Sequence, residues 1–354
     1  VIRPGLLLLA VAAVAAVDTP DPARFAVAAG AAAELPLRAA PGSTVAWTLR
    51  DSTGRDEAAG TIAADAAGAA TLRLVPAAGW HELAFAAGSR LGLVAQDPAL
   101  GHGRADPFFA VDAAMAWLVK EDDRRAALVR LAQRLGLAMG RERLSWNGIQ
   151  PAADRFDGVN PHRNDRLRGQ WAAAGLPLLE VFHDAPAWMG KASGKYPQDL
   201  AAAATAWRQM GARWATTGAV EVWNEPDLTG FSGGGSVDHL VALHRAVLWG
   251  LRQGAPEVQV GGAVLTGGES KVFRARLWAN GLSAASDFIS FHHYGDPRAV
   301  EAYIATLRSE LAAAGDGAVP LWITESGKPW PIGTDRPSLA DDATSALTIA
   351  VRAA

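Results

Sequence analysis

From about Arg24 to Asp106 apolar and polar positions alternate in short runs. Thr44-Val45-Ala46-Trp47-Thr48-Leu49 alternates until Asp51-Ser52-Thr53-Gly54 interrupts it. Thr71-Leu72-Arg73-Leu74-Val75 alternates again, Pro76-Ala77-Ala78-Gly79 turns, and Trp80 to Phe85 resumes. Period-two runs separated by turn residues, with no amphipathic helix between them, predict a small all-β, immunoglobulin-like sandwich over residues 18–106. After Pro107 the rhythm becomes strand, helix, strand, helix. Strands are predicted at Phe108–Val111, Leu137–Ser145, Leu176–Phe182, Ala219–Trp223, Val258–Leu265, Phe288–His292 and Pro320–Thr324. Helices are predicted at Asp123–Leu135, Ala201–Thr216, His239–Gly254 and Arg298–Ala314. This alternation predicts an α/β fold, a (β/α)8 TIM barrel over residues 107–354. No Gly-rich phosphate loop follows the first strand, against a dinucleotide-binding sheet. Only a helical tail, Leu339 to Arg352, follows the seventh strand, so the barrel is expected to lack its eighth strand through truncation.

Ahead of both regions, Val1-Ile2-Arg3-Pro4-Gly5 leads into an apolar run from Leu6 to Val17, with small residues at Val14-Ala15-Ala16. That is the layout of a signal peptide over residues 1–17, cleaved after Ala16, and implies a secreted or periplasmic protein. The run is shorter than the ~20 residues a membrane span needs. A retained N-terminal anchor is the alternative. Composition adds little to the fold and more to the chemistry. The 354 residues carry 33 basic and 36 acidic side chains, which offers nucleic acid or anionic lipid no electrostatic footprint. The chain has no cysteine, so disulfides, thiolate nucleophiles and Cys-bound zinc are excluded. Thirteen Trp against three Tyr leaves two readings, indole faces for stacking on sugar or a large aromatic core.

Barrel enzymes carry their reactive groups at the C-terminal ends of the strands. The fourth strand ends Trp223-Asn224-Glu225-Pro226-Asp227 and the seventh ends Thr324-Glu325-Ser326-Gly327. Strands four and seven lie nearly opposite, so Glu225 and Glu325 can face one another over a bound sugar. Retaining glycoside hydrolysis uses two such carboxyls, one protonating the leaving oxygen and one attacking the anomeric carbon, about 5–5.5 Å apart.

Asn224-Glu225-Pro226 after an apolar strand, with Thr324-Glu325 downstream, resembles glycoside hydrolase clan A, most closely family 39, with family 5 second. The resemblance covers roughly residues 107 to 335. It implies Glu225 as acid/base, Glu325 as nucleophile and Asn224 as partner of the sugar 2-hydroxyl. Gly140-Arg141-Glu142-Arg143-Leu144-Ser145-Trp146 resembles the family 39 second strand, where an Arg pairs with the nucleophile. Arg141 matches best by its distance from Trp146, and Arg143 is the rival. Ser290-Phe291-His292-His293-Tyr294 ends the sixth strand. Alternation puts Ser290, His292 and Tyr294 on one face, and the resemblance implies that His292 and Tyr294 contact substrate and nucleophile. Ala185-Pro186-Ala187-Trp188 resembles the family's Pro-x-Trp turn. Trp188 either stacks on sugar or caps the barrel, and Trp330 is placed with it among the substrate-binding residues.

His183-Asp184 and His292-His293 suggest a metal-dependent barrel, but successive strand residues point to opposite faces, so no metal and no cofactor are expected. The function expected is double-displacement cleavage of a poly- or oligosaccharide. A non-catalytic carbohydrate-binding barrel is the alternative. Gly233-Gly234-Gly235, beyond the fourth strand, reads either as a mobile cleft loop or as a linker into the next helix.

Overall fold

The computed structural model describes residues 16–86, 88–100, 108–214, 217–328 and 339–353. The chain divides into two compact units, Val1–Gly101 and His102–Ala354. The apolar leader up to residue 15 lies outside the described residues. Val17, assigned to the leader by the sequence, is buried in the core of the first unit and donates its N–H to Ser89 Oγ at 2.8 Å. Val17 therefore belongs to the first unit's core.

The first unit is all-β. Strands β1 (Ala26–Ala28), β2 (Ala33–Arg38), β3 (Thr44–Asp51), β4 (Asp56–Ala63), β5 (Ala69–Leu74), β6 (Gly79–Phe85) and β7 (Arg90–Gln96) form two sheets. One has the order β1-β7-β6-β3-β4, and the other pairs β2 with β5. Alternate residues of β2 and β5 (Leu35, Leu37, Leu72) and of β3 and β6 (Val45, Leu49, Leu83, Phe85) bury a shared core.

The second unit contains a parallel sheet built from β8 (Val111–Asp112), β9 (Gly140–Ser145), β10 (Leu178–His183), β13 (Thr217–Val222), β14 (Gln259–Leu265), β15 (Phe288–His293) and β16 (Leu321–Ser326). A two-stranded hairpin, β11 (Lys191–Ser193) and β12 (Tyr196–Pro197), leaves the sheet after β10. The helices are α1 (Met115–Leu118), α2 (Asp122–Arg134), α3 (Trp146–Ile149), α4 (Asn164–Ala173), α5 (Leu200–Arg213), α6 (Thr229–Ser232), α7 (Val237–Gly254), α8 (Lys271–Ala279), α9 (Val300–Ala313) and α10 (Leu339–Ala353). Spatial order follows chain order from β8 to β16, as in a (β/α)8 barrel, and seven parallel strands lie among the described residues. The first strand falls later than its sequence reading. Phe108 and Phe109 are exposed, while Val111 and Asp112 pair with Gly140 and Arg141. Helices α4 and α8 escape the sequence pattern. In α4 the only buried apolar residues are Leu167 and Trp171, too few to show a stripe.

Most indoles serve packing. Trp146, Trp171, Trp207 and Trp223 are fully buried, and Phe182 lies 4.2 Å from the Trp207 ring between sheet and helices. Gly140 allows Trp171 to close on β9, because a Cβ there would fall 2.3 Å from the indole.

Candidate active site

Parallel register decides which side chains share the barrel lumen. Arg141, Leu179 and Ala219 are in line across β9, β10 and β13, as are Arg143, Val181 and Glu221 one alternation later. The floor is apolar, with Leu179, Ala219 and Phe288 buried against Met139 and Trp322. Phe288 stacks on Trp322 at 3.9 Å between centroids. Gly261 makes room for that ring, which a Cβ would meet at 2.1 Å.

Above this floor the lumen is charged. Arg141, 2% exposed, bridges three strand ends. Its Nε donates to Glu221 Oε2 at 2.6 Å, one terminal nitrogen to Glu325 Oε1 at 2.5 Å and the other to Asn224 Oδ1 at 3.2 Å. Arg143 donates to the same Glu325 oxygen at 2.6 Å and pairs through both terminal nitrogens with Asp112. The two arginines that the sequence set as rivals therefore both hold Glu325. Period-two alternation of β9 is the reason, since residues two apart face the same side. Burial alone disfavours a charge on Arg141, but Glu221, Asp112 and Glu325 hold its pKa above the ordinary value.

Glu325 accepts from the Tyr294 hydroxyl at 2.9 Å through its other oxygen. Burial works against its ionisation, yet His292, Arg141 and Arg143 outweigh it and bring its pKa down to about 2. Burial and the neighbouring Glu325 charge push the Tyr294 phenol above its ordinary pKa, so it stays a donor. His292, fully buried, sets Nδ1 2.8 Å from Glu225 Oε1 and 3.6 Å from Glu325 Oε2. His293 turns away, its Nε2 on the Asp296 carbonyl. One atom from each of Glu225, His292 and Glu325 lies within 4.8 Å of the others. A small cation fits that spacing, but a dication would meet the two guanidinium charges already on Glu325.

The backbone that presents Glu225 is strained. Trp223 and Glu225 have φ of +72° and +41°, a region that L residues seldom adopt and that recurs at functional sites. The glycine stretch after Glu225 is held by the β11–β12 hairpin: Lys195 donates from its backbone to Ser232 O at 2.8 Å and from Nζ to Gly230 O at 2.7 Å. Trp188 donates its indole N–H to Gln150 O at 3.0 Å and packs on the main core, with no hydrogen bond or ring contact to either glutamate among the described residues. Trp330 lies outside the described residues. Sequence reading missed Asp112 and Glu221. Glu221 carried a signal, a carboxylate inside an apolar strand, which must either reach solvent or find a buried cation.

No protein-family model and no curated protein sequence matches the chain. Solved structures do. A family 39 glycoside hydrolase from Bacteroides cellulosilyticus aligns with a TM-score of 0.63 at 15% identity over 94% of this chain and 71% of its own. A family 39 β-xylosidase from Caulobacter crescentus aligns with 0.50 at 22% over 65% and 56%, so the chain spans little more than half of that enzyme. A family 5 subfamily 18 protein from Streptomyces cattleya, solved with Manβ1-4GlcNAc, aligns with 0.55 at 17% over 69% and 67%. At these identities the likeness is one of architecture: the barrel has the fold that family 39 and family 5 glycoside hydrolases share.

Proposed function

We propose that the barrel is a retaining glycoside hydrolase that cleaves O-glycosidic bonds in a poly- or oligosaccharide, with Glu325 as nucleophile and Glu225 as acid/base. The observation that carries the reading is the pair itself: carboxylate oxygens within 4.8 Å, one of the two glutamates ionised by two arginines. That close approach favours direct attack by a carboxylate, as in a retaining enzyme. In the first step Glu225 gives its proton to the leaving oxygen as the C1–O bond breaks and a Glu325 oxygen bonds to C1. The ester neutralises Glu325. In the second step Glu225, now a carboxylate, takes a proton from water, the resulting hydroxide bonds to C1, and Glu325 leaves as carboxylate. Asn224, oriented by Arg141, is suited to the 2-hydroxyl, and His292 and Tyr294 to the sugar and the nucleophile. The fold likeness to family 39 and family 5 enzymes supports this assignment. The apolar run from Leu6 to Val17 supports export, and no helix among the described residues is long and apolar enough to cross a membrane.

The test is azide rescue with aryl β-glycosides. Glu225→Ala should retain its first step on good leaving groups and recover turnover with azide, yielding a β-glycosyl azide. Rescue of Glu325→Ala with an inverted, α-configured azide would agree with Glu325 as nucleophile, whereas a retained β-glycosyl azide from that variant would exchange the two roles. A wild-type protein that binds oligosaccharide without turnover would leave a binding barrel.

A further inference from the structure

His183 ends β10, in register with Ser145 of β9 and hence on the same, lumen-facing side as Arg141 and Arg143. It is 8% exposed, and its Nε2 is buried with no hydrogen-bond partner among the described residues. Its Nδ1 lies 2.5 Å from the Asp184 carboxylate, which fixes the ring. Two aromatic rings pack roughly perpendicular to it, Trp117 at 5.4 Å and Phe231 at 5.5 Å between centroids. Trp117, in α1, is 37% exposed and carries the Arg143 guanidinium over one face, its carbon 5.9 Å from the ring centroid, so a sugar would meet the part of the indole that Arg143 does not cover. A buried imidazole nitrogen without a partner is unfavourable, a cost that a bound ligand's hydroxyl can remove. Asp184 and the two aromatic rings hold the imidazole in place, so the orphan atom is not a product of a loose side chain.

We infer that Trp117, His183 and Phe231 form a sugar subsite on the β8–β10 side of the glutamates, resting on the glycosidase reading above. An uncharged ring lays its C–H face on the Trp117 indole and one hydroxyl bonds to His183 Nε2. The Asp184 carboxylate beside the imidazole opposes an anionic substituent at that hydroxyl's position. The contact is made to sugar and not to the reacting atoms, so His183 and Trp117 select the substrate and do not transfer its proton.

The test uses 4-nitrophenyl β-glycosides of glucose, galactose, mannose and xylose, then the monodeoxy forms of the best one. His183→Phe keeps the edge contacts and removes the nitrogen; His183→Gln restores a polar atom. On the parent glycoside His183→Phe should lose about 10- to 100-fold in kcat/KM, as expected for one buried hydrogen bond. Wild type should lose the same on one monodeoxy analogue, where His183→Phe loses nothing further, and His183→Gln should recover part of the loss. Equal kcat/KM for wild type and His183→Phe, or a penalty spread evenly over all the deoxy forms, would overturn the subsite while leaving the glycosidase intact. A wild type that turns over no glycoside overturns both. An unchanged thermal midpoint in His183→Phe separates lost recognition from lost folding.

Discussion

Two glutamates are buried against opposite faces of β9, and their protons behave in opposite ways. Glu325 is 9% exposed in the lumen and Glu142 is 2% exposed behind the strand. Burial alone favours the neutral form of both. Glu142, pushed by burial, has its pKa raised to about 7, although the Ala116 N–H at 3.1 Å and the Trp171 indole N–H at 3.3 Å both donate to it. Glu325 falls to about 2 because full charges reach it in addition to the neutral Tyr294 hydroxyl. One strand produces both outcomes. Arg141 and Arg143 turn inward and Glu142, between them, turns outward. Burial therefore says little about a carboxylate until the sign of the charges on its own side of the sheet is known.

That contrast can be broken at several points. The largest effect is expected from Glu325→Gln, which keeps the shape and removes the charge. Turnover should fall to background and Tm should fall, because the ionised carboxylate is favoured in the fold and its loss leaves Arg141 and Arg143 without that counter-ion. Retained activity would remove Glu325 from the chemistry. Next is Arg141→Met, which leaves Glu221 and Glu325 facing each other without their shared cation. Breaking a buried pair in this way costs about 3–5 kcal/mol of stability. The acid limb of the kcat/KM profile should also move to higher pH, as the nucleophile becomes easier to protonate. An unmoved acid limb would mean that Arg143 alone sets the ionisation.

The outward side gives the third prediction. A glutamate with its folded pKa raised from 4.5 to about 7 binds its proton more tightly in the folded state. Its contribution is fully present below about 4.5 and is lost as pH rises through about 7, a fall of about 3 kcal/mol. Denaturant unfolding of Glu142→Gln should lack this decline between pH 4.5 and 8, and wild type should show it. Parallel curves for the two proteins would show that Glu142 ionises freely. Smallest is Tyr294→Phe, which removes one neutral donor from Glu325 and leaves both arginines. A loss of about tenfold in kcat/KM and a slight upward move of the acid limb are expected, consistent with one hydrogen bond to a charged group. A larger shift than that of Arg141→Met would reverse the ranking of charge over dipole.

Much of the site could be read in one dimension because strands alternate. Period two placed His292 with Tyr294 on a shared face, and the barrel rule pointed to strand ends, where Glu225 and Glu325 stand; the same alternation in β9 makes partners of Arg141 and Arg143, which the sequence set as rivals. The first strand was misplaced for a local reason. Phe108 and Phe109 mimic a buried strand, yet only Val111 and Asp112 pair with β9, so Asp112, the partner of Arg143, went unnoticed. Helix α4 was lost because its buried face includes Asn164 and Arg168, which leave no apolar stripe.

The order of amino acids alone set the alternation of strand and helix, the faces of each strand and the residue types at its ends, since these depend on neighbours within a turn or two of chain. Which ends meet depends on contacts between residues far apart in the sequence. Arg141 touches Glu221, 80 positions away, and Glu325, 184 away. Those pairings follow from the register of parallel strands, which is fixed by packing of the floor and helices and leaves no local periodic trace. The left-handed backbone at Trp223 and Glu225, the ring of aromatic groups around His183 and the opposite ionisation of Glu142 and Glu325 arise at the same level. Each depends on charge and packing brought in from elements distant in the chain.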